Sequence, residues 1–337
     1  MRAHLEAEYG IRVSKMTELD QGVFRVGQRD GSAWVARIFP AGRPVPAAEG
    51  DAEILRFVTG HGFRAERPAS PEPVSELDGQ AVLITEYVAG VPRGPKRVEA
   101  IRRFGGFWTL GVMLGELHTL PGTDAPGAIA RPGGAWHHLA EGLPRDEIAA
   151  AARILDDAGE RLTADDRKAY EALRAEVAGF DGGDGLPQAL IHPDFVLANL
   201  IASPSRGLVI VDWTGSGRGP RLWSLAFLLF AAGGRGMNRV DSAVTGYVTQ
   251  VRPEPEELGR LGGMIRVRPA MFEVWAVGQG RKSVAQAWRG VAQARELADA
   301  VAARALAAFG RATASLWNRA ASASTSEKPG SQPGLGE

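Results

Sequence analysis

The sequence predicts an α+β protein with two lobes: a small lobe built on an antiparallel sheet over residues 1–88, and a larger, mostly helical lobe over residues 89–319. Two observations predict this division. Before residue 88, short runs alternate apolar and polar side chains, as half-buried strands do. Beyond residue 97, apolar side chains recur with the period of an amphipathic helix. The length of 337 residues also suits about two units of roughly 150 residues each.

The strands of the small lobe are predicted from alternation and from turn residues. Asp30-Gly31 is typical of a tight hairpin turn between two alternating runs. A polar segment at residues 2–9 favours a short helix. A second helix is expected over about 47–59, where it would end at Gly60. The strands themselves are expected at residues 13–19, 22–27, 32–39 and 80–87.

The larger lobe is predicted to be helical from its apolar spacing. Apolar side chains from Ile101 to His118 trace one broad face, which predicts a single helix. Residues 146–179 favour two charged amphipathic helices, and residues 221–318 favour further helices rich in Ala, Trp and Arg. A short strand pair is expected at Ala189–Ile191 and Gly207–Val211, around a polar loop.

Composition narrows the classes of function. The chain has 39 Lys plus Arg against 39 Asp plus Glu, so its zero net charge favours no nucleic-acid or membrane partner. It contains no cysteine, which excludes a disulfide framework, a thiolate nucleophile and a Cys-based metal site. The chain shows no secretory apolar stretch and no run of about 18 apolar residues, so we expect a cytoplasmic protein. Residues 320–337 have little apolar content and predict a disordered tail.

Polar residues with chemical potential cluster at the ends of the short strands of the large lobe. Asp194 and Asn199 lie in the loop after Ile191, and Asp212 follows the next apolar run. Phosphoryl transfer requires a carboxylate that accepts the attacking hydroxyl proton and oxygen ligands that hold Mg²⁺ against the phosphates. Taken singly, each residue could cap a turn or end a strand. The set at this spacing, behind a sheet-rich lobe, favours phosphoryl transfer.

The same segments carry a resemblance to a known family. The chain resembles the aminoglycoside phosphotransferase and choline-kinase-like family, whose fold is similar to that of protein kinases. The family loop reads H-G-D-x-x-x-x-N and is followed by I-D-W or I-D-F. Here the loop is His192-Pro193-Asp194 to Asn199, followed by Val211-Asp212-Trp213. Leu114–Pro121 and Gly217–Trp223 resemble the family's segments before and after it, and the likeness covers about residues 10–310.

This resemblance implies roles for residues of the large lobe. Asp194 would be the catalytic base, and Asn199 and Asp212 would hold Mg²⁺. ATP would be the co-substrate, with GTP not excluded. His192 is expected to be structural, its ring nitrogens holding the loop through backbone groups.

The resemblance also implies a nucleotide site in the small lobe. Arg37 occupies the position of the phosphate-contacting lysine, and Asp51 is the expected partner acid, with Glu49 an alternative. Glu86 and Val88 lie in a hinge whose backbone would bind the adenine. The turn Leu19-Asp20-Gln21-Gly22 lies where a loop would cover the phosphates.

Three positions depart from the family pattern and define the alternatives. Pro193 replaces the loop glycine, Arg37 replaces the lysine, and Ser224 stands where the family usually has an Asp that braces the catalytic loop. The leading prediction is an ATP- and Mg²⁺-dependent kinase that phosphorylates a hydroxyl of a small molecule. The alternative is a nucleotide-binding pseudokinase with a regulatory or binding role. A third possibility is a kinase fold with neither catalytic activity nor nucleotide binding. The intact set of Asp194, Asn199 and Asp212 argues against it.

Charge in the helical lobe suggests the kind of acceptor. Residues 220–320 contain 14 basic and 7 acidic residues. Such an excess of positive charge opposes a polycationic aminoglycoside, which predicts a neutral or anionic acceptor. Trp275, Trp288 and Trp317 could line an aromatic pocket, although core packing is the expected role of at least two of them.

Overall fold

A computed structural model of the chain describes residues 1–90, 95–122, 128–135, 142–160, 162 and 166–326. An antiparallel five-stranded sheet with flanking helices forms the small lobe. Helices and two short strand pairs form the larger one. The predicted two-lobed α+β fold class is therefore confirmed.

The sheet of the small lobe has the strand order β1-β2-β3-β5-β4, and all its neighbouring strands are antiparallel. Four of the strands lie where alternation predicted them. The sequence analysis missed β4, because a strand of four residues is too short to show a period. The strands are β1 (Val13–Asp20), β2 (Val23–Gln28), β3 (Ala33–Ile38), β4 (Val74–Leu77) and β5 (Gln80–Glu86).

Both predicted helices of the small lobe are present. The first, α1 (Arg2–Tyr9), anchors itself through Leu5, which is fully buried. The second, α2 (Val45–Gly60), begins with Pro46 in its first turn, where a missing backbone N–H costs nothing. Its buried face, which includes Ile54 and Leu55, follows the helical spacing and packs on the core.

The large lobe begins with two helices where the sequence predicted one. These helices, α3 (Pro95–Arg103) and α4 (Phe107–His118), are separated at Gly105 and Gly106, whose φ angles are 89° and 60°. Glycine adopts such angles without steric cost, so the pair interrupts the helix although the apolar spacing continues across it. The two predicted charged helices follow as α5 (Pro144–Gly159) and α6 (Arg167–Ala178).

Four short strands form two antiparallel pairs around the candidate site. One pair joins β6 (Gln188–Ile191) to β9 (Gly217–Pro220), and the other joins β7 (Leu200–Ser203) to β8 (Gly207–Ile210). The predicted pairing of residues 189–191 with 207–211 is therefore wrong. The partner strands were missed because β7 is short and β9 consists of Gly, Arg and Pro. This topology brings the loop after β6 close to the end of β8.

The remaining helices were predicted as a group, and they run to residue 326. Since α10 continues through Ser326, residues 320–326 are helical rather than disordered as predicted. Alanine is frequent there and has the highest helix propensity. Residues 327–337 of the predicted tail lie outside the described residues. The helices are α7 (Arg221–Gly233), α8 (Met237–Tyr247), α9 (Pro255–Gly278) and α10 (Val284–Ser326).

The main core anchors the segments that carry the candidate site residues. Phe195 and Trp213, which are 0% and 2% exposed, belong to the same buried cluster as Trp223. Phe195 directly follows Asp194, and Trp213 directly follows Asp212, so burial of each aromatic ring fixes the backbone beside the acid. Across the described part of the chain, no helix has the length and apolar character needed to cross a membrane.

Candidate active site

His192 holds the loop that carries Asp194 through both ring nitrogens, as predicted. It is fully buried directly after β6. Its Nδ1 accepts the backbone N–H of Asp194 at 3.1 Å, and its Nε2 lies 3.3 Å from the carbonyl oxygen of Val211. These partners require a neutral ring with the proton on Nε2. Burial favours the neutral form and lowers the pKa of His192.

Asp194 lies in this loop with its carboxylate partly open to solvent, at 29% exposure. The side-chain amide of Asn199 donates to the Asp194 carbonyl oxygen at 3.0 Å, which closes the loop on itself. Arg268 of α9 approaches from the other side. Its Nη2 donates to the Pro193 carbonyl at 2.7 Å and to Asp194 Oδ1 at 3.1 Å. A buried arginine therefore fixes both the backbone and the carboxylate at the predicted base.

Arg268 was missed by the sequence analysis. Its side chain is 3% exposed, and its guanidinium carbon lies 5.1 Å from the ring centre of Phe227 and 5.7 Å from that of Trp223. Aromatic faces attract a guanidinium, so these rings stabilise the buried charge. In the sequence Arg268 was one of many arginines in a helical stretch, and no local pattern marked it as buried.

Ser224 braces the loop with a donor instead of an acid. It is fully buried in α7, and its hydroxyl donates to the carbonyl oxygen of His192 at 2.7 Å. An acid at this position could only accept hydrogen bonds, and Pro193 has no backbone N–H to offer. Ser224 and Arg268 instead donate to the carbonyls of two successive loop residues.

Asp212 lies two residues beyond the end of β8, close to Asn199. The backbone N–H of Val211 donates to the Asn199 carbonyl at 2.9 Å, which joins the two segments. Asp212 has a φ of 69°, a left-handed conformation that is uncommon for a residue other than glycine. Its carboxylate forms an ion pair with Arg37 of β3, at 2.7 Å between Oδ1 and Nη1. Arg37, Asn199 and Asp212 all line the same cavity.

Glu66 is a second site residue that the sequence analysis missed. The segment 64–66 hydrogen-bonds to Ile210 of β8, which places Glu66 next to the end of that strand. Glu66 is 8% exposed. Its Oε1 accepts the backbone N–H of Asp212 at 2.8 Å, and its Oε2 accepts the hydroxyl of Thr85 at 3.0 Å. Burial raises the pKa of Glu66, and the nearby charge of Arg37 opposes that rise.

Asp51 does not pair with Arg37, so this part of the predicted nucleotide site is wrong. Asp51 is 1% exposed on α2 and forms ion pairs with Arg43, at 2.7 Å, and with Arg131 of the large lobe. The Arg131 guanidinium also donates to the Ser216 and Ala47 carbonyls. These two guanidiniums engage the Asp51 carboxylate, while Arg37 turns to Asp212. The alternative acid, Glu49, is exposed to solvent.

The predicted hinge and phosphate turn surround one cavity of about 980 Å³. Glu86 and Val88 line it at the end of β5, and the turn Leu19–Gly22 lines it between β1 and β2. Gly22 has a φ of 70°, and a Cβ there would lie 3.0 Å from the carbonyl oxygen of Ile38. Only glycine fits this turn without strain. Trp275 of α9 and Gln279, directly after that helix, line the same cavity.

The residues at this cavity suit a magnesium–nucleotide complex. Mg²⁺ is usually bound by one or two carboxylates together with substrate phosphates, not by a cage of protein ligands. Asp212 and Asn199 offer a carboxylate and an amide oxygen at the cavity wall. Within the described residues, no group of three or more His, Cys, Asp or Glu side chains forms an all-protein metal site. The donor set therefore fits a metal that enters with its nucleotide.

Comparison with known proteins agrees with this geometry. The sequence matches the model of the phosphotransferase enzyme family over residues 18–258. No curated protein sequence matches the chain.

Solved structures with the same fold include three kinases. Amicoumacin kinase hAmiN, in complex with AMP-PNP, Ca²⁺ and Ami, is 13% identical with a TM-score of 0.62, covering 88% of this chain and 92% of that chain. Choline kinase LicA from Streptococcus pneumoniae is 14% identical with a TM-score of 0.59, covering 87% and 97%. A choline/ethanolamine kinase family protein from Mesorhizobium loti is 21% identical with a TM-score of 0.56, covering 91% and 97%.

At such low identities these structures establish the fold alone, a two-lobed protein-kinase-like fold. The family is established by the sequence model, which spans most of the chain and includes the loop from His192 to Asn199 as well as Asp212. The chain therefore belongs to the phosphotransferase enzyme family.

Proposed function

We propose that this protein is an ATP- and Mg²⁺-dependent phosphotransferase that transfers the γ-phosphoryl group to a hydroxyl of a small molecule. The observation that carries the proposal is the convergence of Arg37, Asn199 and Asp212 on one cavity, with Asp194 in the adjoining loop. An AMP-PNP molecule and Ca²⁺ are present in the amicoumacin kinase structure, which supports the same ligand classes here.

Asp194 would act as the base of the reaction. The acceptor hydroxyl donates its proton to the Asp194 carboxylate while its oxygen forms a bond to the γ-phosphorus. The bond from that phosphorus to the leaving ADP oxygen breaks in the same displacement. Arg268 and the His192 ring hold the loop that carries this carboxylate, so it needs little reorganisation before it accepts the proton.

The nucleotide would lie between the two lobes. The backbone at Glu86 and Val88 would bind the base, and the Arg37 guanidinium would contact the phosphates as a forked donor. Asn199 and Asp212 would hold Mg²⁺, which when bound neutralises phosphate charge and orients the transferred group. Because Arg37 and Asp212 form an ion pair, binding requires these two side chains to separate.

The departures from the family pattern favour activity over the pseudokinase alternative. Pro193 and Ser224 are matched to each other, because the brace donates to carbonyls and needs no N–H from residue 193. Arg37 lies at the cavity with its charge retained. Asn199 and Asp212, the proposed metal ligands, line the cavity, and Asp194, the proposed base, lies in the adjoining loop. None of the three departures removes one of these side chains, which a degenerate kinase would be expected to lack.

We further propose that the acceptor is neutral or anionic. The excess of basic residues in the helical lobe is only weak support, because ion pairs compensate more than half of them. Eight of the 14 basic side chains in residues 220–320 form ion pairs with acids. The cavity wall near the end of α9 supports the proposal more strongly than the count of basic residues does. At the α9 end of the cavity, Trp275 and Gln279 carry no charge, and Arg281 lies 4.7 Å over the Trp275 ring. A polycation would meet the positive charge of Arg281 there, and the Trp275 face that could attract it is already covered by that guanidinium.

Two measurements test this function. Thermal shift with ATP, with and without Mg²⁺, should reveal nucleotide binding that strengthens with the metal. Labelled ATP should then transfer phosphate to members of a panel that contains neutral alcohols, hydroxy acids and aminoglycosides. No nucleotide binding under either condition would refute the proposed function. Transfer to aminoglycosides alone would refute the acceptor class.

A further inference from the structure

In the proposed reaction, Arg37 and the metal ion would both interact with the same carboxylate. Its ion-pair partner in the structure is Asp212, the residue proposed to hold the metal. A bound divalent cation would compete with the Arg37 guanidinium for the negative charge of the Asp212 carboxylate. A second acid near Arg37 would hold its guanidinium in position at the phosphates once Asp212 engages the metal.

Only some acids of the small lobe can serve. Asp51 lies close but is engaged by Arg43 and Arg131, and Glu49 is exposed. Glu66, in contrast, is buried, lines the same cavity as Arg37, and interacts with it electrostatically. Its two oxygens accept hydrogen bonds from the Asp212 backbone and the Thr85 hydroxyl, so the position of the carboxylate is fixed.

We infer that Glu66 is a positioning residue for the magnesium–nucleotide complex. It holds Asp212 through the backbone N–H, and it replaces Asp212 as the ion-pair partner of Arg37 once Asp212 engages the metal. This inference rests on the proposed function, since it concerns the binding of a nucleoside triphosphate with Mg²⁺ at the same cavity.

The two parts of this role have separate physical reasons. Asp212 has a left-handed backbone, a conformation that persists only where its surroundings enforce it, and the hydrogen bond to Glu66 is one such constraint. The exchange of partners depends on charge instead. A buried carboxylate beside Arg37 lets the guanidinium leave Asp212 and still be held by a charged partner while it contacts the phosphates.

The substitution Glu66→Gln separates these two parts. The Gln amide oxygen can still accept the Asp212 N–H, and its NH₂ group can donate to the Thr85 hydroxyl, so the hydrogen bonds survive while the charge is lost. Glu66→Asp keeps the charge on a shorter side chain. Glu53→Gln, at an exposed position of α2, removes the same charge away from the cavity.

The measurement is the affinity for AMP-PNP by titration calorimetry, in Mg²⁺ and in EDTA. The ratio of the two affinities reports how strongly metal and nucleotide are coupled, and it does not depend on turnover. We expect Glu66→Gln to reduce this ratio by about tenfold or more, and Glu66→Asp and Glu53→Gln to keep most of it. An unchanged ratio in Glu66→Gln, or an equal loss in Glu66→Asp, would overturn the inference.

A measurement on the unmodified protein covers the case in which Glu66→Gln does not fold. In a crystal structure with Mg²⁺ and AMP-PNP, Arg37 should have a nitrogen within 4 Å of a Glu66 carboxylate oxygen. Arg37 still paired with Asp212, or without a contact to Glu66, would overturn the inference. Failure of the unmodified protein to bind AMP-PNP at all would instead refute the proposed function, so the two failures are distinguishable.

Discussion

The ion pairs of Asp51 give the sharpest prediction, because sequence and structure assign this residue different roles. We consider Asp51→Asn, which keeps the shape of the side chain and removes its charge. In the structure the side chains of Asp51, Arg43 and Arg131 are 1%, 2% and 8% exposed. The substitution would leave two buried guanidiniums without their carboxylate. It should therefore weaken the attachment of α2 to the large lobe.

The expected loss is large because the partners stay buried. Removing one member of a buried ion pair typically costs about 3–5 kcal/mol of unfolding free energy. At about 2 °C per kcal/mol, a slope suited to larger domains, the melting temperature should fall by roughly 6–10 °C. Chemical denaturation with urea, followed by circular dichroism, measures the free energy directly.

Glu49→Gln is the matched control. Glu49 lies two residues away on the same helix and is exposed, so its loss should change stability by less than about 0.5 kcal/mol. If Asp51→Asn melted like the unmodified protein but lost nucleotide affinity, the ion pairs described here would not matter. Asp51 would then be the partner of Arg37, as the sequence first predicted.

Four further predictions concern the site and the core. Asp194→Asn should lower turnover by roughly 10²–10⁴-fold with little change in nucleotide affinity, and near-native turnover would refute its role as base. Asp212→Ala should abolish most of the Mg²⁺ dependence of nucleotide binding in calorimetry, whereas Asn199→Ala should reduce it less because no charge is lost. Arg268→Met should lower kcat by about 10²-fold while leaving the Kd for AMP-PNP unchanged, and a change confined to Kd would contradict a role at Asp194. Burial lowers the pKa of His118 to about 3, so the unfolded chain binds a proton that the folded chain does not between about pH 6.5 and 3. The free energy of unfolding should therefore decrease as the pH is lowered through that window, by up to about 1.4 kcal/mol per pH unit. Urea unfolding of His118→Gln at several pH values should show a weaker dependence on pH.

The parts of the site that the sequence predicted are those encoded locally. Asp194 and Asn199 are five residues apart in one loop, and Asp212 ends the next apolar run, so a short pattern contains them all. The structural role of His192 was predictable for the same reason. The predicted hinge at Glu86 comes at the end of a strand that the alternation of its side chains predicted. Local signals of this kind need no knowledge of how distant segments pack.

The residues that the sequence missed depend on packing between distant segments. Glu66 becomes important because residues 64–66 lie along β8, some 145 positions later in the chain. Arg268 becomes important because α9 buries it against the rings of α7. Neither residue stands in a periodic pattern that distinguishes it from its exposed neighbours. Asp51 lies on the predicted helix, but its ion pair with Arg131 depends on how that helix packs against the large lobe, which no local pattern indicates.

The packing of the loop also explains how the chain accommodates two departures from the family pattern, Pro193 and Ser224. Judged singly, Pro193 and Ser224 each remove a feature of the loop, a backbone donor and a bracing acid. In the structure the loss of the donor makes an acid at position 224 unnecessary, since such an acid would find no N–H at residue 193 to bind. Ser224 and Arg268 reverse the polarity of the brace and donate to the carbonyls of His192 and Pro193. Pro193 and Ser224 are therefore both consistent with a brace that donates to carbonyl oxygens. This consistency is a physical reason to expect that the Asp194 carboxylate is held for catalysis.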